Sequence, residues 1–136
     1  MLAVIDTSVL VAATVHHHIH EQASDRLLQQ VYRKKLNAAI ATHTIAEYYS
    51  TLTSYPGSPH LSPADVLQML GNNIFPFFEV IDLTHKDYQN ALQRVRDLNL
   101  RSGAIYDALI YQAALKKKIP TLYTWDLSDF SRLGGK

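Results

Sequence analysis

The sequence contains no cysteine. That absence excludes disulfides, thiolate metal sites and a cysteine nucleophile, and it is compatible with a reducing compartment. A dominant charge is missing too, since 13 Lys and Arg against 12 Asp and Glu leave a formal net charge of +1. A domain held on nucleic acid by charge alone is strongly basic, so any polyanion site has to be built locally. The basic clusters available are Arg33, Lys34 and Lys35; Arg94, Arg96 and Arg101; and Lys116, Lys117 and Lys118. Each reads first as a solvated helix end, because cations favour the C-terminal end of the helix dipole. There is no internal repeat or low-complexity tract. No basic region precedes the apolar N-terminal stretch, which itself carries Asp6. Neither a secretory signal nor a membrane span fits, and a cytoplasmic protein is expected.

A chain of 136 residues with 47% hydrophobic residues has the size of one ordinary domain, able to bury roughly two-thirds of its unfolded surface. Residues 1–136 are therefore expected to form a single domain. Short apolar runs alternate with longer amphipathic ones. Strands are expected at Leu2 to Ile5, Ala38 to Ala41, Phe77 to Leu83 and Thr121 to Tyr123. Helices are expected at Glu21 to Arg33, Thr44 to Leu52, Pro63 to Leu70, His85 to Leu98 and Ala104 to Lys117. The run from Ser54 to His60, rich in Pro, Gly and Ser, reads as a loop inside the domain. Strands that alternate with helices imply a mostly parallel sheet covered on both faces, because parallel neighbours need crossover connections. The expected class is α/β with three layers.

Asp6 interrupts the apolar opening run from Met1 to Ala13. An unpaired charge in such surroundings costs several kcal/mol or more, so this carboxylate needs protonation, hydrogen bonds or a metal ion. Three further acids share its apolar setting: Glu47 in Ile45-Ala46-Glu47-Tyr48-Tyr49, Asp107 in Ile105-Tyr106-Asp107-Ala108-Leu109, and Asp126 in Tyr123-Thr124-Trp125-Asp126. In open parallel sheets, ligands bind outside the carboxyl ends of the strands. Asp6 and Asp126 fall at such ends, and Glu47 and Asp107 fall in the first turns of helices, so all four can face one edge. A single acidic pocket is the expectation.

Each acid also has a structural explanation. Thr44 and Glu47 have the spacing of a capping box, Asp6 and Asp126 stand where N-caps stand, and Asp107 suits the positive end of a helix dipole. Asp65 behind Ser62-Pro63 and Asp87 behind Thr84 read as ordinary helix starts in polar settings. Glu21, Asp25 and Asp97 read as solvated helix faces, and Glu79 and Asp82 as residues on or near an edge strand. The run His16-His17-His18-Ile19-His20 suggests a metal site, but adjacent residues point in different directions, and a loop before the helix at Glu21 accounts for it. His43, His60 and His85 read as loop or helix-start residues.

In order and spacing, four segments together resemble the PIN-domain nucleases, and within them the VapC-type toxins of toxin–antitoxin pairs. They are Asp6-Thr7-Ser8, Thr44-Ile45-Ala46-Glu47, the stretch from Ser102 to Ala108, and the stretch from Thr124 to Phe130. The resemblance covers nearly the whole chain. It implies a metal-dependent endoribonuclease using Mg2+ or Mn2+, with a parallel sheet in the order 3-2-1-4-5. It also implies a homodimer, an antitoxin partner whose tail reaches the acidic site, and cleavage that leaves a 5′-phosphate and a 3′-hydroxyl. By this resemblance Asp6, Glu47 and Asp107 match the three core acids and Asp126 a fourth, more variable position. Asp129 matches a position more structural than catalytic. Thr7, Ser8 and Thr124 match hydroxyl residues that orient the carboxylates or contact phosphate. Trp125 stands where a polar residue is common, which bears on substrate preference.

The chemistry of the acids agrees with this assignment. Magnesium and manganese take hard oxygen ligands, and magnesium keeps several waters, so a few carboxylates and a substrate phosphate complete a site. Arg101, just upstream of Asp107, is a candidate guide for the RNA backbone. Tyr48, Tyr49, Tyr106 and Tyr123 are candidates for stacking on bases or for the core. Haloacid-dehalogenase phosphatases need Asp-x-Asp-x-Thr after the first strand, which Val9 and Leu10 do not supply. Receiver domains need an acid at the end of a middle strand, where this chain has Thr42 and His43. Two alternatives stay open: a PIN-like module that binds RNA or protein without cutting, and a PIN nuclease outside any toxin system.

Overall fold

The computed structural model describes residues 2–15, 18–56 and 61–134. His16, His17 and residues 57–60 of the expected loop, His60 included, lie outside them. The chain runs β1 (Leu2–Ile5), α1 (Thr7–Thr14), α2 (Glu21–Tyr32), β2 (Asn37–Ala41), α3 (Thr42–Ser54) and α4 (Pro63–Met69). A π-helical turn (Leu70–Ile74) follows, then β3 (Phe78–Ile81), α5 (His85–Asp97), α6 (Ala104–Lys116), β4 (Thr121–Tyr123) and α7 (Leu127–Leu133). No described helix is long and apolar enough to cross a membrane.

All pairings are parallel. β1 sits between β2 and β4, pairing Ala3 with Ala38 on one side and with Thr121 on the other, and β2 pairs Ala38 with Phe78 of β3. The sheet order is β3-β2-β1-β4. The expected order 3-2-1-4-5 thus holds for four strands, and no fifth strand occurs among the described residues. Beyond β4 the sequence lacks the period-2 alternation of a strand. Instead Phe130 and Leu133, one helical turn apart, are buried on one side of α7.

Side chains of successive strand residues point to opposite faces, and the apolar runs fill both. Ala3, Ile5, Ala38, Ile40 and Phe78 pack with α1, α2, α3 and α4 residues such as Leu10, Leu28, Leu52 and Val66. Val4, Ala39, Ala41 and Ile81 pack with Ala91, Leu109, Ile110, Ala113 and Leu133 from α5, α6 and α7. This is the three-layer arrangement read from the sequence, and strands buried on both faces explain why the runs are continuous rather than alternating. From β1 the chain crosses to β2 and β3 on one side and later returns to β4 on the other. The crevice beyond the carboxyl ends of β1 and β4 is therefore a topological switch point.

Helix ends follow local rules. Ser62 with Asp65 and Thr84 with Asp87 form complete capping boxes. Lys34 and Lys118 adopt left-handed backbone with φ of 60° and 55° just past α2 and α6, so two of the basic clusters are helix ends. Asp87 does more than cap. It is buried, and besides its Thr84 contacts it accepts bonds from Lys116 Nζ at 2.8 Å and Gln112 Nε2 at 3.4 Å, while Lys116 also donates to the Asp82 carbonyl at 2.7 Å. The polar setting expected for Asp87 is thus a partly buried ion pair joining α5 to α6. Burial raises the Asp87 pKa, but the bonds from Lys116, Thr84 and Gln112 outweigh it and hold the group at about 2.

Lys116→Met keeps the aliphatic stem and removes the cation. It is expected to lower stability by about 1 kcal/mol near neutral pH, measured by denaturant titration. Because the folded pKa is depressed, the stabilisation is present above the ordinary value of 3.8 and is lost as the pH falls toward 2. The difference between wild type and variant shrinks over that window.

Candidate active site

β1 ends at Ile5, and Asp6 follows at the N-terminus of α1 without capping it. Its carboxylate is 2% exposed and is held by two hydroxyls. Ser8 Oγ donates to Asp6 Oδ2 at 2.7 Å, and Thr124 Oγ1 donates to the same oxygen at 2.8 Å. Each hydroxyl in turn accepts a backbone N–H, Ser8 from Trp125 at 3.0 Å and Thr124 from Asp126 at 2.8 Å. The Asp6 N–H donates to the Tyr123 carbonyl at 2.9 Å. Asp6 is thereby fixed by the ends of both β1 and β4, and the segment carrying Asp126 is anchored to the same group. The hydroxyls of Ser8 and Thr124 both hold the Asp6 carboxylate.

Thr7, 7% exposed, donates from Oγ1 to Glu47 Oε1 at 3.1 Å. Glu47 lies two residues deeper in α3 than expected, because the helix begins at Thr42 rather than Thr44. The capping box with Thr44 does not form, and Thr44 is fully buried with its hydroxyl unpartnered among the described residues. Asp107 lies in the first turn of α6 and makes no N-cap bond. Asp126 occupies the N-cap position of α7, also without a side-chain cap bond. Capping therefore accounts for none of the four acids.

The four carboxylates line one pocket of about 400 Å³ together with Thr7, Ser8 and Thr51. Burial, and then repulsion, registers in the ionisation of Glu47, Asp107 and Asp126. Burial raises Asp107 to about 7, with added repulsion from Asp6, Asp126, Asp129 and Glu47. Burial also raises Glu47, partly offset by the Thr7 bond and reinforced by Asp6 and Asp126. Asp126 is raised by burial and then by Asp6 and Asp129. The pocket therefore resists full ionisation at neutral pH, and a cation or a bound proton relieves it.

Asp129 does not line the pocket. It pairs with Arg132 at 2.6 Å. Arg101 is exposed in the connection before α6 and is not a pocket residue. Arg94 lies 5.0 Å above the Tyr111 ring and bonds the Leu133 carbonyl, and Arg96 pairs with Asp97. Tyr48 is buried in the core, whereas Tyr49 and Tyr106 are exposed. His43 stacks on Tyr106 at 4.9 Å and 7°, and burial lowers its pKa, so it is neutral at pH 7. Sequence reasoning missed that His18, His20 and Trp125 complete the pocket wall. Their signals were the histidine run before α2 and an aromatic residue standing between Thr124 and Asp126.

The profile of the PIN domain family matches residues 3–136. The chain belongs to the PIN domain family. Ribonuclease VapC27 of Mycobacterium tuberculosis (strain ATCC 25618 / H37Rv) is 28% identical over 114 residues, covering 84% of this chain and 77% of that protein. Among solved structures, M. tuberculosis VapC20, described as a sarcin–ricin loop cleaving toxin, superposes with a TM-score of 0.76 at 16% identity, covering 95% of this chain and 93% of that one. VapBC2 of Rickettsia felis, bound to a DNA fragment from its promoter, gives 0.65 at 21% identity, covering 97% and 92%. The likeness to these structures is a likeness of fold.

The PIN domain's acids also have to suit a metal. Among the described residues no group of three or more His, Cys, Asp or Glu side chains forms a ready metal cage. Four carboxylates and the nearby hydroxyls nevertheless supply oxygen donors, the sequence holds no thiolate, and the imidazoles of His18 and His20 on the same wall are engaged with each other and with the Trp125 ring. That set fits a hard ion that keeps part of its water shell and takes the rest of its ligands from a substrate phosphate.

Proposed function

We propose that this PIN domain, residues 1–136, is a VapC-type toxin: a Mg2+- or Mn2+-dependent endoribonuclease of a toxin–antitoxin pair. The observation that carries this reading is the gathering of Asp6, Glu47, Asp107 and Asp126 around one pocket whose repulsion asks for a cation. The ribonuclease among its relatives supports the activity, and the toxin–antitoxin complex among its structural neighbours supports an antitoxin partner. A homodimer in the cytoplasm belongs to the same proposal.

Asp6, Glu47, Asp107 and Asp126 would hold the ion, with Asp6 presented by Ser8 and Thr124 and Glu47 by Thr7. When bound, the ion supplies positive charge that neutralises the phosphodiester and promotes ionisation of the attacking water. A bond forms from the water oxygen to phosphorus and the bond from phosphorus to the 3′ oxygen breaks. The 3′ oxygen takes up a proton, leaving a 5′-phosphate and a 3′-hydroxyl. Asp107, poised at about 7, is able to hold or release a proton at neutral pH in the metal-free protein. Asp6 is kept in one orientation throughout, so no rotamer search precedes the reaction.

The experiment is cleavage of a single-stranded RNA by the purified chain with Mg2+ or Mn2+, against EDTA. Metal-dependent cleavage supports the reading. Intact RNA with folded, partner-free protein rejects it in favour of a binding module. Within this reading, Ser8→Ala removes one of the two bonds on Asp6 and orphans the Trp125 N–H, and it is expected to lower cleavage about tenfold with the protein still folded. Equal rates for variant and wild type would show that the hydroxyl network does not position Asp6 for chemistry.

A further inference from the structure

One wall of the acidic pocket is aromatic. His20, immediately before α2, and Trp125, in the connection from β4 to α7, lie face to face with ring centroids 3.7 Å apart and planes 8° from parallel. His18 leans on His20 at 5.8 Å and 40°. The indole is locked further, because Trp125 Nε1 donates to the hydroxyl of Ser24 at 2.8 Å, and Ser24 is 1% exposed. All three rings line the same pocket as the four carboxylates.

Core packing does not account for Trp125. It belongs to neither hydrophobic cluster and leaves 36% of its surface open. It is the only tryptophan in the chain. Its backbone N–H is bound by Ser8 and the next N–H by Thr124, the two residues that hold Asp6. A large flat ring is thus fixed in orientation by His20 and Ser24, left about a third exposed beside the pocket, and coupled through its own backbone to the central carboxylate.

We infer that the Trp125–His20 pair is a base-stacking platform that seats an unpaired nucleobase beside the phosphate to be cut. The inference rests on the RNA reading above and adds how the substrate is held. Four carboxylates repel a phosphodiester chain, and a net charge of +1 supplies little general attraction. Stacking needs no charge, and every base offers a face. A base reaches such a surface only when it is unstacked from a helix, so the platform selects single-stranded or looped RNA over duplex.

The single tryptophan makes the test direct. Full-length protein in EDTA, where RNA stays intact, is titrated with a short single-stranded RNA and with an abasic ribose-phosphate chain of equal length. Indole fluorescence and the anisotropy of the labelled oligonucleotide are followed together. RNA is expected to quench the indole and the abasic chain is not. Trp125→Ala and His20→Ala are expected to weaken RNA binding about tenfold, and in metal-dependent cleavage to raise KM far more than they lower kcat. Trp125→Phe, which keeps a flat ring, and Ser24→Ala, which keeps the indole but removes its hydrogen bond, are expected to retain most of the affinity.

If RNA binds and is cut but the indole signal does not change, and Trp125→Ala binds as wild type does, the platform is overturned while the nuclease reading stands. If Ser24→Ala and Trp125→Ala lose affinity equally for RNA and for the abasic chain, the ring merely braces the pocket and the inference fails. If wild-type protein neither binds nor cuts RNA, both readings fall.

Discussion

Asp6→Asn and Asp107→Asn are each expected to lower RNA cleavage at least about a thousandfold while leaving the fold intact. The geometry makes asparagine the informative replacement at position 6. Both hydroxyl bonds on Asp6 converge on one oxygen, Oδ2, so an amide oxygen in its place accepts both, and only the negative charge is lost. At position 107 the change removes a carboxylate that burial and four neighbouring acids already disfavour as an anion, so the substitution does not weaken packing. On the proposed reading, what both variants lose is capacity to hold a divalent cation against the phosphodiester. The measurement is single-turnover cleavage with Mg2+ and with Mn2+, beside circular dichroism of each variant. Cleavage within tenfold of wild type in either folded variant would remove that residue from the active site.

The acids were legible because each breaks a local rule. A carboxylate at the end of an apolar strand is anomalous wherever the chain goes next, and the Asp6-Thr7-Ser8 and Thr124-Trp125-Asp126 segments carry their hydroxyls beside it. The alternating runs gave the four parallel strands and most helix ends to within a residue or two. The two capping boxes at Ser62 and Thr84 also followed from local spacing, since both partners lie within one turn. Where local spacing was ambiguous, distant contacts decided. Thr44 and Glu47 have capping-box spacing, yet Glu47 is held by Thr7, a residue from another element, and Thr44 faces the core.

The features that were not legible share one property: their partners are far apart in sequence. Trp125 meets Ser24 and His20 across about 100 residues of sequence, and Asp87 meets Lys116 from a neighbouring helix. Periodicity reports which face of an element is apolar; it does not report which polar group from another element arrives there. The histidine run illustrates this. Read alone, its residues diverge, but the fold stacks His20 on Trp125 and leans His18 on His20 in the pocket wall. The missing fifth strand has a different cause. It came from the family pattern rather than from any strand-like run after Tyr123, and the residues there are helical.

Metal-free protein is expected to become more stable on acidification from pH 7 to about 4.5, by about 1–2 kcal/mol once solvent screening of the half-exposed Asp107 is allowed for, a rise in Tm of about 5 °C. Asp107 is the main source. Its folded pKa of about 7 stands above the ordinary 3.8, so the folded chain binds a proton that the unfolded chain has given up. The relative stabilisation is complete below 3.8 and is lost as the pH rises through 7. Glu47 and Asp126, also raised, add in the same direction, and screening of the half-buried pocket by solvent reduces the total. Asp87 does not compete, because its depressed pKa places its own loss below 3.8, whereas His43, whose pKa burial lowers, works in the opposite sense below its ordinary 6.5 and offsets part of the gain. Asp107→Asn is therefore expected to be more stable than wild type at pH 7 in EDTA and to show a much flatter pH profile. Saturating Mg2+ is expected to stabilise wild type at pH 7 more than at pH 5, since ion and proton compete for the same oxygens. A wild-type profile in EDTA that falls on acidification toward 4.5, or one that matches Asp107→Asn, would mean that the four carboxylates do not share a strained pocket.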